Sequence, residues 1–213
     1  MKIAVYGATG MVGAQIVKES LRRGHEVTAV SRSGAPVPGA SACRAELADV
    51  RTFANIVNDH DAVVLATVPS RTSGNHSEWL AAMKAAFESA GSTRLMVVGG
   101  TGGLEIGGVR LCDSPGFPEA YRAEARTMAA VYDEIRSAPD TLDWTMLAPA
   151  PAMQPGARTG CYVTAGDSPA GSSITVPDFA VALLDELESP AHRRSRFTVA
   201  NPDRGTDTAA GRH

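Results

Sequence analysis

Residues 2–17 read KIAVYGATGMVGAQIV: an apolar run, a turn carrying Gly7, Gly10 and Gly13, then apolar positions at helical spacing. A strand that passes through glycines into a helix opens a βαβ unit, and each glycine has a task there. Gly7 permits the tight turn, Gly10 lets backbone approach a pyrophosphate, and Gly13 lets the helix pack closely on the sheet. The helix N–H groups around Gly10, Met11, Val12 and Gly13 then face the phosphates, where the helix dipole favours negative charge. Thr9 is the candidate cap. The spacing is G-x-x-G-x-x-G rather than the G-x-G-x-x-G fingerprint, so its context between strand and helix carries the reading. The competing reading is a turn that only packs.

Beyond this stretch, EVTAVS (26–31), DAVVLAT (61–67), RLMVVGG (94–100), DWTMLAP (143–149) and RFTVA (196–200) are further strand candidates. Near-continuous apolar runs suit strands covered on both faces, as in a parallel sheet. Helical spacing occupies 10–23, 49–58, 76–90, 118–137 and 177–188. In the last, Phe179, Ala182, Leu183 and Leu187 share a face, with Asp185, Glu186 and Glu188 assigned to solvent. Strands alternating with helices predict an α/β fold, a doubly wound parallel sheet that binds ligands beyond the carboxyl ends of its strands. Ala66, Thr67, Gly99 and Pro149 end strand runs and so become candidate cofactor contacts.

Two stretches interrupt the alternation, 99–118 and 149–175. Both begin where a strand ends, and long irregular segments there point to substrate binding. Residues 1–206 are expected to form one domain containing the 149–175 substrate-side segment, with 207–213 a flexible tail. The 213 residues are 44% hydrophobic and 20% charged, as in globular chains. A formal charge of −3 with scattered basic residues gives no footprint for nucleic acid. Cys43, Cys112 and Cys161 lack metal-site or disulfide spacing, so no metal is expected. No leader and no apolar run of about 20 residues is present, which predicts a cytoplasmic protein without a membrane partner.

The choice of dinucleotide turns on the end of the second strand, where an acid would take a free ribose 2′-hydroxyl. Ser31 and Arg32 stand there instead, and arginine accommodates a 2′-phosphate. The cofactor expected is NADP(H); the alternative is that Arg32 is a solvated loop charge.

With these features in place, the chain resembles the NmrA-like, NAD(P)H-binding branch of atypical short-chain dehydrogenase/reductases, which includes flavin/biliverdin-IXβ-type reductases. The matching stretches are KIAVYGATGMVG, DAVVLAT, VVGGTGG, PGFPEAYRAEA, LDWTMLAPA and VPDFAVALLDELESP, covering nearly the whole chain. The resemblance implies a Rossmann fold of strand order 3-2-1-4-5-6-7 with a small C-terminal substrate lobe over the nicotinamide. Members reduce quinones, flavins and carbonyls, and some bind the cofactor as redox sensors.

Short-chain dehydrogenases usually carry Tyr-x-x-x-Lys, the lysine lowering the pKa of a proton-donating tyrosine. Here Tyr121 is followed four residues on by Ala125. A phenol ordinarily titrates near pH 10, so the missing lysine weakens the standard relay. Tyr132 and Arg136 share the spacing but lie about 16 Å further down the helix, and Tyr132 is assigned to packing. Tyr121 is the first catalytic candidate, as proton donor or substrate contact, against a tyrosine that closes the loop. Thr101, where related enzymes often place a serine, offers a hydrogen bond to a carbonyl or stabilises its turn. His76 is the third candidate, for acid–base work or capping, and Arg71 in the same loop is a candidate contact for a phosphate or an acidic substrate.

Acceptors that stabilise negative charge themselves need no strong general acid. The reading is therefore an NADPH-dependent oxidoreductase of a small conjugated or aromatic acceptor (quinone, flavin, enone or ketone), a monomer or homodimer. The alternatives are a non-redox isomerase, cyclase or epimerase, and an NADP(H)-binding redox-sensing regulator.

Overall fold

The computed structural model describes residues 1–69 and 76–202; the expected tail at 207–213 lies outside them, as does Arg71. The chain begins β1 (Lys2–Tyr6), α1 (Met11–Arg22), β2 (Glu26–Ser31), β3 (Ser41–Arg44), α2 (Val50–Asp59) and β4 (Ala62–Leu65). It continues through α3 (Ser77–Ser89), β5 (Arg94–Val98), the hairpin strands β6 (Glu105–Ile106) and β7 (Val109–Arg110), and α4 (Glu119–Arg136). The last part holds β8 (Trp144–Pro149), β9 (Ala152–Gln154), β10 (Val163–Ala165), β11 (Ser173–Thr175), α5 (Val176–Glu188) and β12 (Ser195–Ala200).

The main sheet has the order β10-β12-β8-β5-β4-β1-β2-β3. All of its pairings are parallel except β10 with β12. The chain runs outward from β1 through β2 and β3, then returns to β4 on the other side. That reversal between β1 and β4 opens the crevice in which such sheets hold ligands.

Successive residues of β1 serve opposite faces. Ile3 and Val5 pack with Ile16 and Val17 of α1 and Phe179 and Leu183 of α5. Ala4 and Tyr6 pack with Phe53 of α2, Met83 of α3 and Val131 of α4. This two-sided burial, worth roughly 1.5–3 kcal/mol per large side chain, is why the strands read as unbroken apolar runs. Among the described residues no helix is long and apolar enough to cross a membrane.

Four expectations need correction. A strand, β3, follows β2 with no helix between them. The 149–175 segment is not irregular: β9 pairs with β11, and β10 with β12. Likewise 99–118 contains the β6–β7 hairpin and two 3-10 turns, Thr101–Gly103 and Leu111–Asp113. Finally, Glu186 does not face solvent; it is buried, with Arg94 Nη2 3.0 Å from its Oε1.

The C-terminal segment is fastened by two carboxylates. Buried Asp178, in the first turn of α5, accepts from the backbone N–H of Thr159 and Gly160 at 2.7 and 2.8 Å, and from Thr159 Oγ1 and Asn201 Nδ2 at 2.7 Å. Arg158 forks onto buried Glu19 of α1, which Arg22 and Arg23 also engage. Burial alone would raise both carboxyls, but these donors outweigh it and hold both below the usual range. A depressed folded pKa stabilises fully above the unfolded value, about 4, and is lost as pH falls through the folded one. Protease cleavage within 156–162 is therefore expected to be slow at pH 7 and to accelerate below about pH 4. Equal cleavage at both values, after correction for protease activity, would remove the carboxylates as the fasteners.

Candidate functional site

The crevice is floored by the turn after β1. Gly7 has φ +78°, and a Cβ there would stand 2.3 Å from the Ala66 carbonyl oxygen at the end of β4. Only glycine meets both demands, the left-handed backbone and the close approach. A Cβ on Gly13 would lie 2.1 Å from the Gly7 oxygen, so α1 sits directly on the turn. Gly10 differs: its Cβ would meet only the Gly7 oxygen, at 3.2 Å, and otherwise point into open space.

Gly10 is also the N-cap of α1, in extended conformation and without a side-chain cap. Thr9, exposed beside it, therefore does not cap the helix as expected. The exposed Met11 and half-buried Val12 follow in a first turn free of acidic residues. Uncapped N–H groups at a helix N-terminus attract anions, and the residues present fit a dinucleotide pyrophosphate.

Along the rim, Ser31 is buried and its Oγ accepts from Gly34 N at 3.1 Å, while Arg32 is exposed. Thr67 is turned into the protein, its Oγ1 accepting from Trp79 Nε1 at 3.2 Å. Ala66 is tied to β1 by its N–H to the Tyr6 carbonyl at 3.0 Å. Gly99 gives its N–H to the Leu147 carbonyl, and a Cβ there would strike Met146 at 2.9 Å. Pro149 closes β8 at the same edge.

The three catalytic candidates are set apart by their surroundings. Tyr121 lies in the first turn of α4 and is 53% exposed. Thr101 opens the 3-10 turn after β5, its hydroxyl shut from solvent and without a hydrogen-bond partner among the described residues. His76 stands at the N-cap position of α3 without a side-chain cap bond and places Nδ1 2.8 Å from Thr127 Oγ1, whose hydroxyl donates to the Ala123 carbonyl at 3.0 Å. That bond ties α3 to α4. Thr127 stands six residues below Tyr121 on α4, about 9 Å along the axis, so His76 and Tyr121 sit at different heights.

Ala125, where the proton relay would need lysine, is buried under the 3-10 turn; a Cβ on Gly102 would lie 2.6 Å from Ala125 Cβ. The Gly102 backbone therefore packs directly on the Ala125 methyl, from which a relay lysine would have to extend. Tyr132 packs as expected, edge-on to Trp144 at 6.4 Å and under the Arg196 guanidinium at 3.9 Å. The 111–118 loop is held to α4 by Arg122, which donates to the Cys112, Ser114 and Phe117 carbonyls, and by Arg126 paired with Asp113.

Sequence reasoning missed Arg44. It ends β3, paired in register with Ser31, and joins Arg32 on one open groove. The available signal was an arginine a dozen positions after Arg32 in SACRA, but no apolar pattern marked that stretch as a strand.

The sequence profile of a family described as NAD(P)H-binding matches residues 7–190. Three solved structures cover 94% of this chain. A candidate exported protein from Burkholderia pseudomallei is 38% identical, with TM-score 0.83 over 99% of that chain. A candidate NADH-flavin reductase from Streptococcus pneumoniae is 32% identical, with TM-score 0.84 over 99% of that chain. A candidate epimerase from Bacteroides thetaiotaomicron is 32% identical, with TM-score 0.83 over 96% of that chain.

Proposed function

The chain belongs to the NAD(P)H-binding family, and from that premise we propose that it is an NADPH-dependent reductase of a small conjugated or aromatic acceptor, of the atypical short-chain type. The observation that carries the choice of acceptor is Ala125 packed beneath Gly102. With alanine in place of the relay lysine, the substrate must stabilise its own developing charge, as quinones, flavins and enones do. The bound cofactor would supply a hydride from its nicotinamide ring.

In this reading the Gly7–Gly13 turn, with Thr9, Met11 and Val12, holds the pyrophosphate. Ser31 and Arg32 face the adenosine ribose, while Ala66, Thr67, Gly99 and Pro149 border the path to the nicotinamide. Tyr121 stands at the acceptor, on the helix that the 111–118 loop braces. Thr101 supports the turn beneath it, and His76 fixes α3 against α4. An NADPH consumer belongs where that cofactor is regenerated, so a cytoplasmic location is part of the proposal.

The test is loss of NADPH absorbance with a panel of quinones, flavins and enones. Tyr121→Phe is expected to lower kcat about 100-fold with an enone, which needs a proton, and to leave flavin turnover nearly unchanged. Unchanged turnover with every acceptor would take Tyr121 out of the chemistry. The Bacteroides neighbour favours one second reading, a non-redox epimerase or isomerase, which predicts product without net consumption of NADPH.

A further inference from the structure

We propose that Arg44 is the second half of a phosphate clamp that works with Arg32 to select adenosine bearing a 2′-phosphate; this rests on the dinucleotide reading above. Parallel pairing of β2 with β3 sets Ser31 opposite Arg44 at the carboxyl ends of both strands. The glycine turn is adjacent, since Gly7 and Ala8 both give their N–H groups to the Val30 carbonyl. Both guanidiniums therefore stand on the ligand edge, on the side where β2 carries the ribose.

The loop that carries Arg32 is built down onto Arg44. Gly34, at φ +64°, comes so close that a Cβ there would lie 2.8 Å from Arg44 Cβ. Ser31 Oγ accepts from Gly34 N at 3.1 Å, and Ser33 Oγ accepts from Ala35 N at 3.3 Å, which fixes the loop. The groove is lined by Arg32, Arg44, Ala45, Glu46, Ala48 and Asp49.

Most arginines of the chain, including Arg23, Arg94, Arg158 and Arg196, are in ion pairs. Among the described residues four exposed arginines, Arg32, Arg44, Arg51 and Arg136, are in no ion pair, and of these Arg32 and Arg44 line the groove. Two like charges on one groove are a liability in the free protein and an asset when a dianion sits between them. Asp49 does not cancel them, because its carboxylate caps α2 through Thr52 N at 3.0 Å and Thr52 Oγ1 at 2.6 Å. Glu46 is the remaining acid, an acceptor suited to an exocyclic amine such as that of adenine.

The experiment titrates the full chain with NADPH, NADH and adenosine 2′,5′-bisphosphate by calorimetry, for the wild type and for Arg44→Ala, Arg32→Ala and Arg44→Lys. Arg44→Ala is expected to weaken NADPH and the bisphosphate about 10–100-fold, the effect of one charge-assisted contact, and to leave NADH nearly unchanged. Retained NADH binding also shows that the variant is folded. Arg44→Lys recovers part of the loss, because lysine keeps the charge without the fork. A variant that weakens NADPH and NADH alike, or neither, overturns the clamp. Wild-type protein that binds NADH as tightly as NADPH also overturns it, while wild-type protein that binds neither overturns the dinucleotide reading itself.

Discussion

Gly13→Ala is expected to cost both the fold and the cofactor site, whereas Gly10→Ala should keep the fold and lose the cofactor alone. At position 13 the added methyl meets the Gly7 carbonyl oxygen at 2.1 Å and its carbon at 2.7 Å. Both are backbone atoms of a turn that Gly7 also presses against Ala66, so nothing nearby can swing away. The helix α1 must lift from the sheet, and with it Ile16 and Val17 from the core. A loss of about 3 kcal/mol follows, seen as a fall of roughly 6–12 °C in Tm. At position 10 the backbone is extended at φ −77°, which alanine adopts freely, and the methyl touches only the Gly7 oxygen at 3.2 Å. It occupies instead the space where the proposed pyrophosphate approaches the helix N-terminus. Tm should stay close to that of the wild type while NADPH affinity falls about 100-fold. Equal effects of the two substitutions on stability would mean that the turn only packs.

The second large effect lies at the opposite edge of the sheet. Arg94, at the start of β5, places Nη2 2.7 Å from Thr145 Oγ1 and 3.0 Å from Glu186 Oε1, and Nη1 2.9 Å from Asp143 Oδ1. Glu186 in turn accepts from the N–H groups of Ala191 and His192 and pairs with His192 Nδ1 at 2.9 Å. Both charged side chains are almost wholly buried. Removing Glu186 leaves buried Arg94 with only the more exposed Asp143 as a counter-charge and takes the acceptor from Ala191 and His192, so Glu186→Ala is expected to cost about 3–5 kcal/mol in denaturant unfolding. Replacing both, as Arg94→Met with Glu186→Leu, should recover much of that loss. The network is remote from the glycine turn, so NADPH affinity of either folded variant should match that of the wild type. A double variant no more stable than Glu186→Ala would mean that the network does more than neutralise itself.

These two sites also mark what the sequence could disclose. The strands β1, β2, β4, β5, β8 and β12 are apolar on both faces and visible as runs, and the five helices match their spacing within a residue or two. β3 is a four-residue edge strand, Ser41–Arg44, with three residues exposed and no pattern to betray it. Missing it also hid Arg44. β9, β10 and β11 are triplets too short to show a period, defined only by remote partners, such as Val163 with Ala200.

Glu186 sits between solvent-facing acids in the helical pattern, and its buried partner Arg94 lies 92 residues earlier in the chain. In the site itself, the glycine turn was legible because backbone sterics require glycine at positions 7 and 13. The burial of Ala125 against Gly102 was not, because it depends on how α4 meets a turn more than twenty residues away.

The most direct test follows NADPH absorbance after wild-type protein is mixed with quinone, flavin and enone acceptors, using cofactor with hydrogen or deuterium at nicotinamide C4. A reductase consumes one NADPH per acceptor reduced, more slowly with deuterium, and loses this activity in the folded Gly10→Ala variant. Protein that binds NADPH tightly yet leaves it unoxidised with every acceptor would contradict the proposed function.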